Sequence, residues 1–157
     1  MQYKLYSLDE TRSFAQLIAS TCPESASTVY LEGDLGAGKT TLTRFWIQSM
    51  GFTGRVKSPT YSLMESYAFD RFNIIHMDLY RLGDPEELEF LGIRELVDDS
   101  ENIFLIEWPE KGHGFVPIPD LIIHITLLNE NAREISLVAA SSAGEQWIEA
   151  INEQKNK

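Results

Sequence analysis

"LEGDLGAGKTTLT", residues 31–43, sets three glycines, a lysine and adjacent threonines directly after a short apolar run. Gly33-Asp34-Leu35-Gly36-Ala37-Gly38-Lys39-Thr40 fits the pattern G-x-x-x-x-G-K-[ST] without a mismatch. Upstream, "TVYLEG" reads as a buried strand. Downstream, "KTTLTRFWIQSM" reads as a helix with Leu42, Phe45, Trp46 and Met50 on its apolar side and Gly51 at its end. Strand, glycine loop and helix form the context in which this pattern holds phosphates. Glycines allow positive φ and remove side chains, so successive N–H groups can converge on phosphate oxygens, and the helix N-terminus adds its partial positive charge. Lys39 is placed to reach β- and γ-phosphates, and the Thr40 hydroxyl to ligate a magnesium ion bridging them; Thr41 is a second hydroxyl whose role the pattern leaves open. The plain alternative is a glycine-rich turn before an ordinary helix. From residue frequencies a chance match in a chain this long is on the order of 1 in 200, and the correct flanks lower that further.

Outward from this unit the signals alternate without a repeat or a low-complexity tract. "YKLYSL" alternates polar and apolar residues like a half-buried strand, and Ser7 followed by Glu10 has the spacing of a capping box, opening a helix with Phe14, Leu17 and Ile18 on one face. Residues 52–62, with Gly54 and Ser58-Pro59-Thr60, read as a loop. "YSLMESYAF" then turns through Asp70-Arg71 into "NIIHMDLY" as an antiparallel hairpin. "DPEELEFLG" reads as an acidic helical piece with a solvated face, and "NIFLIEW" as a buried strand. "LIIHITLL" and "REISLVAA" flank the turn "NENA", and "GEQWIEAINEQK" reads as a terminal helix. The expected fold is α/β: a mixed central sheet with a parallel core and an antiparallel extension, flanked by helices, forming a single domain over residues 1–157.

Composition restricts the classes of function. With 157 residues and 43% apolar side chains the chain can bury one sizeable core. Its one cysteine, Cys22, cannot form an internal disulfide, and "MQYKLYSLDE" lacks the apolar block of a signal peptide, so a cytoplasmic location is expected. "LIIHITLL" is much shorter than the roughly 20 residues of a membrane span, and no membrane anchoring is indicated. A formal net charge of -11 opposes direct, independent binding to transfer RNA or any phosphate backbone unless the bases gather on one face.

Magnesium at such a loop calls for an acid at the end of a neighbouring buried strand. Glu107 follows the uninterrupted run Ile103-Phe104-Leu105-Ile106 and is the better match to a Walker B acid. Asp78 follows Ile74-Ile75-His76-Met77; it either orients the attacking water or a metal-bound water, or caps a strand-to-loop turn. Thr60 stands where many P-loop proteins keep a switch segment, although a proline turn explains it equally well. Trp108 is by default a core aromatic, with a platform near nucleotide or partner as the alternative. His76, His113 and His124 lack metal-ligand spacing and read as packing or loop residues.

"GDLGAGKTT", "KSPTYSL", "HMDLYRL", "ELEFLGIREL" and "LIEWPEK", between residues 33 and 111, together resemble the bacterial TsaE family, also called YjeE, the ATPase needed to make threonylcarbamoyladenosine in transfer RNA. The resemblance implies a P-loop α/β fold and ATP hydrolysis in support of the TsaB and TsaD proteins, with TsaD transferring the carbamoyl group to adenosine 37. By position it implies Gly36, Ala37, Gly38, Lys39, Thr40 and Thr41 on the phosphates of ATP, Thr40 and Glu107 at Mg2+, and Lys39 and Asp78 in the catalytic surround. It sets Thr11 and Arg133 near the adenosine end, each as a single-residue match. A small-molecule kinase and a nucleotide-dependent binding switch are the other classes compatible with the loop. A regulatory GTPase is disfavoured, because neither D-x-x-G nor N-K-x-D follows it.

Overall fold

The computed structural model of the protein describes residues 1–23 and 27–157. Strand β1 (Gln2–Leu5) buries Tyr3 and Leu5 and leads to helix α1 (Leu8–Thr21). The helix starts where the sequence signals it: Ser7 Oγ accepts the Glu10 N–H at 3.1 Å. Glu10 in turn accepts from the N–H of Tyr6, one residue outside the expected capping box. Phe14 and Ile18 are buried, with Leu17 packed at the margin of the same core. Strand β2 (Ser27–Glu32) runs into the glycine loop, and helix α2 (Lys39–Ser49) leaves it.

Strands β3 (Met64–Ala68) and β4 (Asn73–Asp78) form the expected hairpin, but β3 is shorter than the stretch 61–69. Leu63 has φ 68°, in the left-handed region, and its N–H returns to the Pro59 carbonyl at 2.8 Å, so the chain is still turning there. The acidic stretch 84–92 forms the short helix α3 (Glu87–Phe90), and a second short helix that the sequence reading did not include, α4 (Ile93–Asp98), follows Gly92 at φ 75°. The face of the acidic stretch is not wholly solvated, because Leu88 is buried, as is Ile93 of α4. Strand β5 (Asn102–Glu107) is followed by a 3-10 turn over Pro109–Gly112, then β6 (Leu121–Leu127), β7 (Arg133–Ala139) and helix α5 (Ser142–Lys155). Among the described residues no helix is long and apolar enough to cross a membrane.

The seven strands form one sheet in the order β1-β7-β6-β2-β5-β4-β3. Strands β6, β2, β5 and β4 are mutually parallel, and β1, β7 and β3 join antiparallel, which is the parallel core and antiparallel extension that the sequence implies. Side chains alternate between the faces. Val29, Leu31, Ile103 and Leu105 pack with Phe14, Ile18, Leu42, Trp46, Trp147 and Ile151 from α1, α2 and α5. Ile75, Met77, Phe104 and Ile106 pack with Leu88 and Ile93 from α3 and α4. Trp46 and Trp147 meet edge to face at 5.7 Å, and Trp147 Nε1 donates to Thr21 Oγ1 at 3.1 Å, joining three helices on one face. Because β2, β4 and β5 are parallel, their last residues, Glu32, Asp78 and Glu107, fall at one edge of the sheet, the edge where open α/β sheets bind ligands.

Candidate functional site

The loop between β2 and α2 is shaped by its glycines. A Cβ on Gly33 would stand 2.5 Å from the Ile125 carbonyl oxygen of β6, so only glycine permits this approach. Gly38 opens α2 at φ 105°, and no side chain caps the helix. The first-turn amides therefore face outward without a side-chain acceptor competing for them, an arrangement suited to phosphate oxygens. Arg133, at the start of β7, donates from Nε to the Ala37 carbonyl at 2.8 Å and braces the loop from the side. Gly36 to Thr41, with Thr60, Asp78, Tyr80, Glu107, Trp108 and Arg133, wall a cavity of about 290 Å³. A wider cleft of about 540 Å³ lies beside the β3–β4 hairpin tip and the end of α2, at the opposite edge of the parallel strands.

Chemistry-bearing side chains converge on that cavity. Lys39 is 5% exposed; its Nζ donates to the carbonyls of Gly33 and Asp34 and lies 4.1 Å from the centre of the Trp108 ring. Burial pushes its pKa below the ordinary lysine range, opposed by the carboxylates of Glu107, Asp78, Glu110 and Asp34. Thr40 Oγ1 is 3.0 Å from both carboxylate oxygens of Glu107. A hydroxyl and a carboxylate side by side next to the glycine loop are hard oxygen donors, a set that could hold magnesium. Asp78 is also buried and accepts the Tyr80 N–H at 3.1 Å. Burial raises its pKa and Glu107 adds to the rise, against the hydrogen bond from Tyr80 and the influence of His76 and Lys39.

The residues singled out in the sequence divide clearly. Gly36, Ala37, Gly38, Lys39, Thr40, Thr41, Asp78, Glu107 and Arg133 meet at one cavity, whereas Gly33 does not line it and lies against the Ile125 carbonyl of β6. Thr11 does not line it: on α1 it is buried, with its hydroxyl donating to the Ser7 carbonyl at 3.2 Å. Thr60 does line it, 2.6 Å from Ser58 Oγ. Trp108 is half-buried: it packs at the margin of the core formed by Ile75, Met77, Phe104 and Ile106 and also reaches the cavity wall. It adopts φ 56°, which turns the ring toward Lys39 and Tyr80 at the cavity wall. His76 is more than a packing residue, since its Nε2 lies 2.6 Å from Glu107 Oε2. No periodicity could reveal that contact, because it depends on the register of β4 against β5. His124 is half-exposed, with Nδ1 3.1 Å from Glu32.

Residues 5–135 match the family model described as threonylcarbamoyl adenosine biosynthesis protein TsaE. A Haemophilus influenzae protein named tRNA threonylcarbamoyladenosine biosynthesis protein TsaE is 48% identical over 141 residues, covering 90% of this chain and 88% of that protein. The Bacillus subtilis protein of the same name is 31% identical over 156 residues, covering 99% and 96%. The crystal structure of YdiB from Bacillus subtilis superposes with a TM-score of 0.81 at 28% identity, again over 99% of this chain and 96% of that one. A loop, sheet and acid arrangement of this kind, together with a match running through almost the whole chain, leads to one assignment: the chain belongs to the TsaE family of tRNA threonylcarbamoyladenosine biosynthesis proteins.

Proposed function

We propose that the chain is a P-loop ATPase of one domain that hydrolyses Mg-ATP to ADP and phosphate, acting in the cytoplasm with TsaB and TsaD to support threonylcarbamoylation of adenosine 37. The observation that carries this reading is the convergence of Lys39, Thr40, Asp78 and Glu107 on the uncapped start of α2. In this reading the amides from Gly36 to Thr41 receive the phosphates, and the buried Lys39 ammonium exchanges its loop carbonyls for β- and γ-phosphate oxygens. Thr40 and Glu107 would hold magnesium, which when bound neutralises charge developing on the phosphates. Asp78 lies on the same edge and can orient a water. Arg133, already against the loop, extends the site toward the nucleoside, whereas Thr11 rests on the family resemblance alone. Among the described residues we find no nucleophile paired with a base and no aromatic-basic stripe for RNA, which supports a reading in which hydrolysis acts on a partner's conformation.

Phosphate release by the chain alone, with TsaB and TsaD together, and with transfer RNA alone tests this. The expected result is slow magnesium-dependent hydrolysis, stimulated by the two proteins and lowered at least about 100-fold by Lys39→Ala, which removes a charge aimed at the transferred phosphate. Unchanged hydrolysis in that variant ends the ATPase assignment. Stimulation by RNA alone makes the chain an RNA-dependent ATPase instead.

A further inference from the structure

His76 occupies a core position without the chemistry of one. It sits on β4 between Ile74 and Asp78, paired in register with Leu105, and its side chain is fully buried. An apolar residue would pack there as Ile74 does and would leave no unpaired atom, yet Nδ1 of His76 has no hydrogen-bond partner. What the imidazole supplies is the contact from Nε2 to Glu107 Oε2 at 2.6 Å. With Nδ1 unpartnered, the tautomer carrying its proton on Nε2 buries no unpaired N–H, so Nε2 is the donor and Oε2 the acceptor.

The geometry around Glu107 gives that donor a purpose. Thr40 Oγ1 is 3.0 Å from Oε1 and 3.0 Å from Oε2, so the threonine does not distinguish the two oxygens and leaves the carboxylate plane undetermined. His76 contacts Oε2 alone and breaks the symmetry. The geometry points to His76 as a positioning residue that fixes the rotation of the Glu107 carboxylate, so that its free lone pairs stay turned toward Thr40 and the metal. This rests on the Mg-ATP reading above. A ligand carboxylate held by a buried partner binds its metal more tightly because its orientation is settled before binding.

Equilibrium binding of ATP by calorimetry, in EDTA and across a magnesium chloride titration, tests the role with His76→Leu, which removes the donor, and His76→Gln, which keeps an N–H at comparable reach. In EDTA both variants bind ATP within about twofold of wild type, while the magnesium concentration that half-maximally tightens ATP rises about tenfold in His76→Leu and returns to within about threefold of wild type in His76→Gln. In a Glu107→Gln background the leucine substitution adds less than about twofold, because the positioned group is gone. A magnesium response unchanged by His76→Leu, a parallel loss of affinity in EDTA, or a glutamine variant as poor as leucine overturns the role of His76. A wild-type chain whose ATP affinity ignores magnesium overturns the Mg-ATP reading, and this role with it. If His76→Leu does not fold, His76→Asn, whose amide stops short of Oε2, takes its place with the same expectations.

Discussion

The long helices α1 and α5 begin differently from α2. Ser7 and Ser141 each turn a hydroxyl onto the first turn behind them, accepting from Glu10 and Gly144 at 3.1 Å. Helix α2 begins at Gly38 with no side-chain acceptor. A helix end that only has to be stable is closed from within, whereas an end left open suits the phosphate ligand proposed above. Gly38→Ala attacks this difference most directly. A Cβ there would stand 2.8 Å from Arg133 Nε and would have to adopt φ 105°, a conformation costing roughly 1–2 kcal/mol for an L-residue. The arginine must then release Ala37, and the loop loses its brace. ATP affinity should fall at least about tenfold by calorimetry, more than stability alone accounts for. Wild-type affinity in this variant would break the comparison.

Ser141→Ala gives the opposite profile. The hydroxyl caps α5 and donates to Asp120 Oδ1 at 2.7 Å, while Asp120 Oδ2 accepts the Thr28 N–H at 2.9 Å, so the change loosens the joint between α5 and β2 far from the loop. Removing such a cap costs about 1 kcal/mol, read as a lower urea midpoint, with ATP affinity within about twofold of wild type. If affinity falls with stability, the two kinds of helix end are not separable.

What the sequence made legible follows the same division. The glycine loop is contiguous, so Gly33 to Thr40 declare strand, loop and helix within one window. Glu107 is legible because an uninterrupted apolar run ends on it. The Ser7 cap is legible because its partner lies three residues away. The contact between His76 and Glu107 spans 31 positions and exists only once β4 and β5 are in register, so no local pattern carries it. The left-handed turns at Leu63 and Trp108 are equally silent, since both residue types ordinarily favour extended or helical backbone and only tertiary packing holds them at positive φ. Leu63 cost the expected strand its first residues, and Trp108, packed at the margin of the core, also reaches the wall of the cavity.

Asp78 carries the comparison from helix ends to charge. At a structural helix start, polar groups are placed where their partners satisfy them. At the sheet edge beside α2, an acid is buried at a net electrostatic cost: desolvation and neighbouring Glu107 raise its pKa above the ordinary 3.8, although Tyr80, His76 and Lys39 oppose the rise. In the window from 3.8 up through the higher folded value, the folded chain holds a proton that the unfolded chain has released. Stability associated with Asp78 therefore falls as pH rises through that window, and the full penalty is present at neutral pH. Asp78→Asn removes the titrating group but keeps an oxygen for the Tyr80 N–H, now at 3.1 Å from Oδ1. The variant should have a higher urea midpoint than wild type at neutral pH, and the gap should close as pH falls below 3.8, where wild-type Asp78 is protonated in both states. Phosphate release should fall in the same variant, because an amide cannot accept a proton from water as a carboxylate can. A gain in stability with a loss of turnover is what an acid retained for chemistry predicts. A variant no more stable than wild type at neutral pH, or one whose advantage grows toward acid, would make Asp78 a turn cap comparable with Ser7 and Ser141.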